Sequence, residues 1–493
     1  MNIIDFEALK NQLLFNAHEP LLFNTGLFFL LFLAFLAVYE AAKRHASLKM
    51  LITIAFSLYF YYKSSAEYCL VLIGICLSDY LLGNILGMLR SKWTRRSIIV
   101  INVAVNIGML IYFKYFNLLC STYAEFTHTD FDALDIILPA GISFFTFRSI
   151  SYIVDIYRGL IKPETNLLHY IFSLTFFPPL LAGPVVRAKD LLPQIKRNPI
   201  ATREMIGEGL FMIMTGLVKK VIIADYISGN FVNRVFDNPT LYTGFENFMA
   251  SIGFTVQLYC DFSGYSDMAI GLALILGYRF KQNFNAPFKA QNISDFWRRW
   301  HISLSTWLRD YLYISLGGNR KGKIRTYLNN FLTMVLGGLW HGAGWMYLLW
   351  GAYHGALLAI HKALKGIWNI PERFKTASAM RVVNIAFTFM LVVFGFAIFR
   401  ATSLESLGDM LSQIVCNFHA SVIPQFIEGY PLIVLAITAA LIMHFLPTRY
   451  TSVAQTAYIN LPAAAQGTIL AIVIFFVIQA SSSDLVPFIY LSY

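Results

Sequence analysis

The stretch GGLWHGAGWMYLLWGAYHG, Gly337 to Gly355, decides how the rest of the chain is read. It is apolar over most of its length, yet it holds two ionisable rings, His341 and His354, and is dense in glycine. Such a segment is either the core of a large soluble protein or part of a membrane-embedded one. The whole chain chooses between them: of 493 residues, 57% are hydrophobic and only 13% charged, where a soluble domain carries about 25% charged residues.

Apolar runs long enough to cross hydrocarbon as helix recur from one end of the chain to the other. They fall near 22–40, 50–62, 68–88, 97–117, 136–155, 207–232, 247–277, 328–344, 346–363, 382–400, 431–446 and 467–482, and predict about eleven crossing helices. The runs are continuous rather than alternating, so each must satisfy its backbone polar groups internally, which excludes a β-barrel. The expected fold class is an all-α polytopic membrane protein in one domain spanning 1–493.

The net charge of +11 sits in short loops between apolar runs, which is a topology signal rather than a nucleic-acid one. Segments 43–49 and 90–96 are basic, whereas 118–135 and 401–429 carry only acidic charges. Alternating the spans places the basic loops in the cytoplasm and the N-terminus outside it. The first 19 residues hold Asp5, Glu7 and Glu19 against Lys10, so the first span is expected to stay in the mature protein. The five cysteines form no CxxC pair, and no HExxH pattern is present, so neither a disulfide framework nor a metal site is expected.

Two regions depart from plain spans. Residues 168–182 are apolar but short, and PPLLAGPVVR follows, where Pro178, Pro179, Gly183 and Pro184 cannot continue a helix; a re-entrant or broken element is expected. Residues 278–326 are basic and aromatic, a segment suited to the interface or to a cavity wall.

Ionisable groups inside spans are the pointers to function, since each costs a few kcal/mol unless paired or hydrated. They are Lys219 and Lys220, Asp261 and Asp267, His301, and His341. For His341 the residues alone leave two readings: a neutral imidazole bonded to a neighbouring helix, or an acid–base group. Gly337, Gly338 and Gly342 beside it allow a backbone or a ligand to come close. His354 and His361 read as structural or interfacial, and Cys260 as a packed thiol. Lys219 and Lys220 read either as snorkelling residues or as a charge pathway.

At this point the residues match a family. DFWRRWHISLSTWLRDYLYISLGGNRKG (295–322) and LTMVLGGLWHGAGWMYLLWGAYHG (332–355), with LPAGISFFTFRSISYIVDIYRG (138–159), FFPPLLAGPVVR (176–187), GLVKKVIIADYI (216–227) and YCDFSGYSDMAIGLALILGYRFKQNFNAPF (259–288), resemble the membrane-bound O-acyltransferase (MBOAT) family, in its alginate O-acetylating, AlgI-type branch. The likeness covers about 138–362, flanked by N-terminal helices over 1–130 and C-terminal helices over 378–493.

The resemblance implies a ring of helices around a tunnelled centre, with His341 and His301 as the catalytic pair. It implies Trp340, Asn319, Arg309 and Asp310 as orienting groups, and Arg298, Arg299, Arg320 and Lys321 as donor-binding residues. The reaction implied is O-acetylation of an extracytoplasmic polysaccharide such as alginate. The co-substrate would be acetyl-CoA or another acyl thioester on the cytoplasmic side, with no cofactor or metal. An SGNH-type protein outside the bacterial inner membrane would be the partner. The alternative from a different class is a transporter or polymer-export subunit that uses the intramembrane charges.

Overall fold

In the computed structural model the described residues are 6–16, 19–367, 378–480 and 488, and among them all regular structure is helical. Leu70, Val100, Phe387 and Phe476 stand exposed on the outside of the helices, as a lipid-facing surface requires. Four helical runs are long and apolar enough to cross a membrane by length and composition: Ala46–Met88, Lys92–Thr127, Ser378–Arg400 and Ala463–Ala480. A fifth results if the bent pair Val422–Gly429 and Pro431–Phe445, 91° apart, is one span.

This is fewer than the eleven expected, and the reason is compositional. The helix Gly26–Ala41 is only 16 residues long. The stretch 207–232 is interrupted by Lys219, Lys220 and Asp225 and includes two π-helical segments, Val218–Asp225 and Ser228–Val232.

The centre of the molecule is the 32-residue helix Gly244–Ile275, which opens on a capping box between Thr243 and Glu246. It is buried on nearly every side, so it has no polar stripe. The helix Arg203–Leu217 crosses it at two glycine pairs. A methyl at Gly209 would sit 2.6 Å from the Gly271 carbonyl oxygen, and one at Gly216 equally close to that of Gly264. Just past this crossing Lys219 pairs with Asp267 at 2.5 Å, and Lys220 with Asp261 at 2.6 Å and Asp225 at 2.8 Å. Of the two readings for the lysines, the structure favours neither snorkelling nor an open pathway: they are ion-paired across the helix contact.

The expected re-entrant element is present. A nine-residue helix, Leu167–Thr175, enters and stops, and residues 176–187 continue without helix through fully enclosed Phe176, Phe177, Leu180 and Leu181. Gly183 takes φ +96, a left-handed value that suits glycine. The chain returns through Ala188–Lys196, and the two ends of the element meet where Lys196 Nζ lies 2.7 Å from Glu164 Oε2. Burial alone would raise the Glu164 carboxyl, but Lys196 and the Asn166 N–H hold it below its ordinary range. Non-helical backbone at this depth is tolerated because it is wrapped in protein.

Basic residues also tie loops far apart in sequence: Lys49 donates to the Pro199 carbonyl, Arg95 to that of Tyr157, and Arg158 to that of Asp310.

Candidate active site

The helix Lys323–His341 ends on His341, and Trp345–Ile367 folds back beside it as a hairpin. The glycines of the opening stretch make that return possible. A methyl at Gly338 would lie 2.2 Å from the Tyr347 carbonyl oxygen, one at Gly351 2.5 Å from that of Met334, and one at Gly342 2.1 Å from the Tyr347 ring. The returning helix takes the space these residues leave, by its backbone at Gly338 and Gly351 and by the Tyr347 ring at Gly342: they pack the hairpin.

At the end of that helix the His341 ring is 4% exposed and enclosed by Trp340, Trp350 and Phe399, with ring centroids 5.0, 5.0 and 5.5 Å away. His301 is fully buried and precedes the helix Ile302–Trp307 in a left-handed conformation, φ 42 and ψ 57. A non-glycine residue is strained there by about 1–2 kcal/mol, so the surroundings must hold it. Asn283 does so: its carbonyl accepts from Ile302 N at 2.8 Å and its side-chain oxygen from Ser303 Oγ at 2.8 Å. Ser303 Oγ in turn accepts from Val185 N, which ties the non-helical part of the re-entrant element to the start of this helix.

The two histidines, 40 positions apart in sequence, meet at one indole. The Trp340 ring lies 6.0 Å from that of His301 and 5.0 Å from that of His341. The Trp340 N–H donates to the Ser143 carbonyl at 3.1 Å. Trp340 therefore meets both histidines through its ring, with its N–H already engaged by Ser143.

A cavity of 560 Å³ lies between the segment that follows His301 and the helix Lys323–His341. Arg298, Arg309 and Lys362 line it together with Trp297, Ile302 and Met334. Ile302 directly follows His301, and Met334 lies seven residues, or about two helical turns, before His341. The cavity thus carries a cationic wall, and the chain leads from its lining directly to His301 and, two turns further along the helix, to His341.

The other expected residues are dispersed. Arg299 turns to Asp295 at 3.1 Å and to the Asn285 carbonyl at 3.3 Å. Asp310 accepts from Arg187 at 2.7 Å and from Arg309 at 2.8 Å, and so ties the re-entrant element to its neighbour. Asn319, Arg320 and Lys321 stand exposed on the turn after Tyr313. That turn is separated from His301 by the continuous helical run Ile302–Tyr313, about 18 Å at α-helical rise. Asn319 therefore lies away from the two histidines, and Arg299, Arg320 and Lys321 do not line this cavity. The buried asparagine of this region is Asn329, which holds the turn through the Gly318 carbonyl at 2.9 Å.

Three residues were missed. Asn283 gave no signal, being one polar residue in a polar segment. Lys362 lies beyond the basic segment. Lys114 carried a signal, a charge inside the apolar run 97–117; its ammonium reaches the carbonyls of Trp340 and His341 at 2.9 and 3.0 Å. His354 also changes place. The break after His341 removes the continuous helix on which it would face away, and its buried ring lies 5.0 Å from Trp350, the indole that also contacts His341.

Comparison with known proteins gives one consistent result. Residues 163–404 match the family described as MBOAT, membrane-bound O-acyltransferase. A Pseudomonas putida protein named as a probable alginate O-acetylase, AlgI, is 45% identical over 400 residues, 79% of either chain. A peptidoglycan O-acetyltransferase of Helicobacter pylori is 35% identical over 430 residues, 80% of either chain. A teichoic acid D-alanyltransferase of Bacillus subtilis is 31% identical over 274 residues, 52% of this chain and 68% of its own.

Proposed function

The chain belongs to the membrane-bound O-acyltransferase family and is a multi-pass membrane O-acyltransferase; from that premise we propose that it moves an acetyl group from a cytoplasmic acyl thioester toward an extracytoplasmic polysaccharide, with His341 and His301 at the reacting centre. The observation that carries this reading is the convergence of both histidines on Trp340; a cavity with a cationic wall, lined by Ile302 next to His301, supports it. Acetyl rather than alanyl transfer is favoured because the O-acetylating relatives align over about four-fifths of the chain and the D-alanyltransferase over about half.

Imidazole with an ordinary pKa near 6.5 suits a general base. In the proposed step a nitrogen of His341 takes the proton of the acceptor hydroxyl as its oxygen attacks the thioester carbonyl. The tetrahedral oxyanion collapses, the C–S bond breaks, and the sulfur leaves as a thiol by taking that proton back. His301 orients the reacting group, and the aromatic enclosure excludes water that would hydrolyse the donor. Arg298, Arg309 and Lys362 hold the phosphates of a donor such as acetyl-CoA in the cavity. The acceptor polymer is alginate or a related polysaccharide, reached through an SGNH-type partner docked outside the bacterial inner membrane, where the N-terminus also lies.

The export alternative placed Lys219 and Lys220 on a charge pathway, and their carboxylate partners at 2.5–2.8 Å leave it no support. The deciding experiment reconstitutes the full chain with labelled acetyl-CoA. Label transfer should be lost in His341→Ala; undiminished transfer by that variant would refute the assignment.

A further inference from the structure

The helix Lys323–His341 lacks the usual local ending. Its last carbonyls need partners, as at any helix C-terminus, and a glycine in the left-handed conformation commonly turns the chain to supply them. Gly342 instead takes an extended φ of −159. The cap comes from a distant helix. Tyr115 Oη donates to the Leu339 carbonyl at 2.7 Å, and Lys114 Nζ donates to those of Trp340 and His341 at 2.9 and 3.0 Å.

Both donors lie in a π-helical turn, Ile111–Tyr115, inside the otherwise α-helical run Lys92–Thr127. Such a turn inserts one residue into the helix and is found most often at functional sites. Lys114 also reaches Ser143 Oγ at 3.5 Å, and the Ser143 carbonyl is the acceptor for the Trp340 indole. One ammonium therefore ties together the end of the histidine-bearing helix and the segment that fixes its tryptophan. A cation is also the favourable charge at a helix C-terminus, where the macrodipole is negative.

We propose that Lys114, assisted by Tyr115, is a positioning residue for acyl transfer, clamping the Trp340 and His341 carbonyls so that the His341 ring is held at its reacting position. The inference rests on the reading of His341 as the reacting residue. It assigns Lys114 no contact with substrate.

The test uses the full-length protein in proteoliposomes, with labelled acetyl-CoA as donor and an SGNH-type partner with alginate as acceptor. Lys114→Met should lower kcat by about a hundredfold, the scale of an ångström-sized misplacement of a reacting group, with KM for acetyl-CoA near the parent value. Lys114→Arg, which keeps the cation and its donors, should restore most of the rate. Tyr115→Phe should have a smaller effect.

A second readout does not depend on turnover. The rate at which diethyl pyrocarbonate modifies His341, followed by mass spectrometry with the exposed His45 as internal reference, should change in Lys114→Met and return in Lys114→Arg. If Lys114→Met matches the parent in both measurements, the proposal is overturned. It is equally overturned if Lys114→Arg fails to rescue either and both variants lose thermal stability alike, since the lysine then serves folding only. If His341→Ala retains transfer, the functional reading fails, whereas the modification rates still decide whether Lys114 positions that ring.

Discussion

Two regions of this protein bury ionisable groups at membrane depth, and they do so in opposite ways. At the crossing of Arg203–Leu217 over Gly244–Ile275, two lysines face carboxylates at 2.5–2.8 Å, and charge is cancelled by charge. Around Trp340, two histidines are enclosed by Phe262, Trp350 and Phe399 as well as by the shared indole. An imidazole can be enclosed by aromatic rings without a counter-ion, whereas an ion pair cannot give up a partner without leaving a bare charge.

The comparison predicts different failures at the two places. The largest effect belongs to His341→Ala, which should lower acetyl transfer by about 10²–10⁴-fold, the range of a lost general base, while melting temperature stays near the parent. Asp261→Asn should do the reverse: unfolding becomes easier by about 1.5–3 kcal/mol as Lys220 loses one carboxylate partner and keeps Asp225, while protein that does fold keeps its kcat. Thermal scanning beside single-turnover assays separates the two, and a catalytic defect in folded Asp261→Asn would break the distinction.

Smaller effects sharpen it. Gly338→Leu drives a side chain into the Tyr347 carbonyl and should destabilise the hairpin by about 1–3 kcal/mol or more, with activity lost along with the fold. Arg298→Glu should raise KM for acetyl-CoA about tenfold, the scale of one charge-assisted contact, at nearly constant kcat. The smallest effect concerns Glu164, whose carboxyl is held below its ordinary range in the folded protein. Its contribution is therefore complete at neutral pH and is lost as pH falls through about 5 to 3. Lys196→Met should remove about 1 kcal/mol or less of stability at pH 7, since Lys196 is half exposed, and should flatten the acid side of a pH–stability profile.

Much of the fold was legible because lipid imposes a simple rule on long apolar runs. The re-entrant element was legible too, because Pro178, Pro179 and Pro184 forbid helix in a stretch too short to span.

The sequence by itself determined the class of the molecule, its family and its two histidines, through composition and ordered motifs. Only the tertiary structure decided that these rings share Trp340, that the glycines beside His341 admit a returning helix, and that Lys219 and Lys220 are already paired. It also decided that Arg298 lines the cavity whereas Asn319, Arg320 and Lys321 stand on an outer turn. The physical reason is common to all of these: spacing along a chain reports which face of one helix a residue occupies, whereas the partner on the facing helix depends on how separate helices cross. Lys114, 227 positions from His341, is held to its carbonyl by that crossing alone.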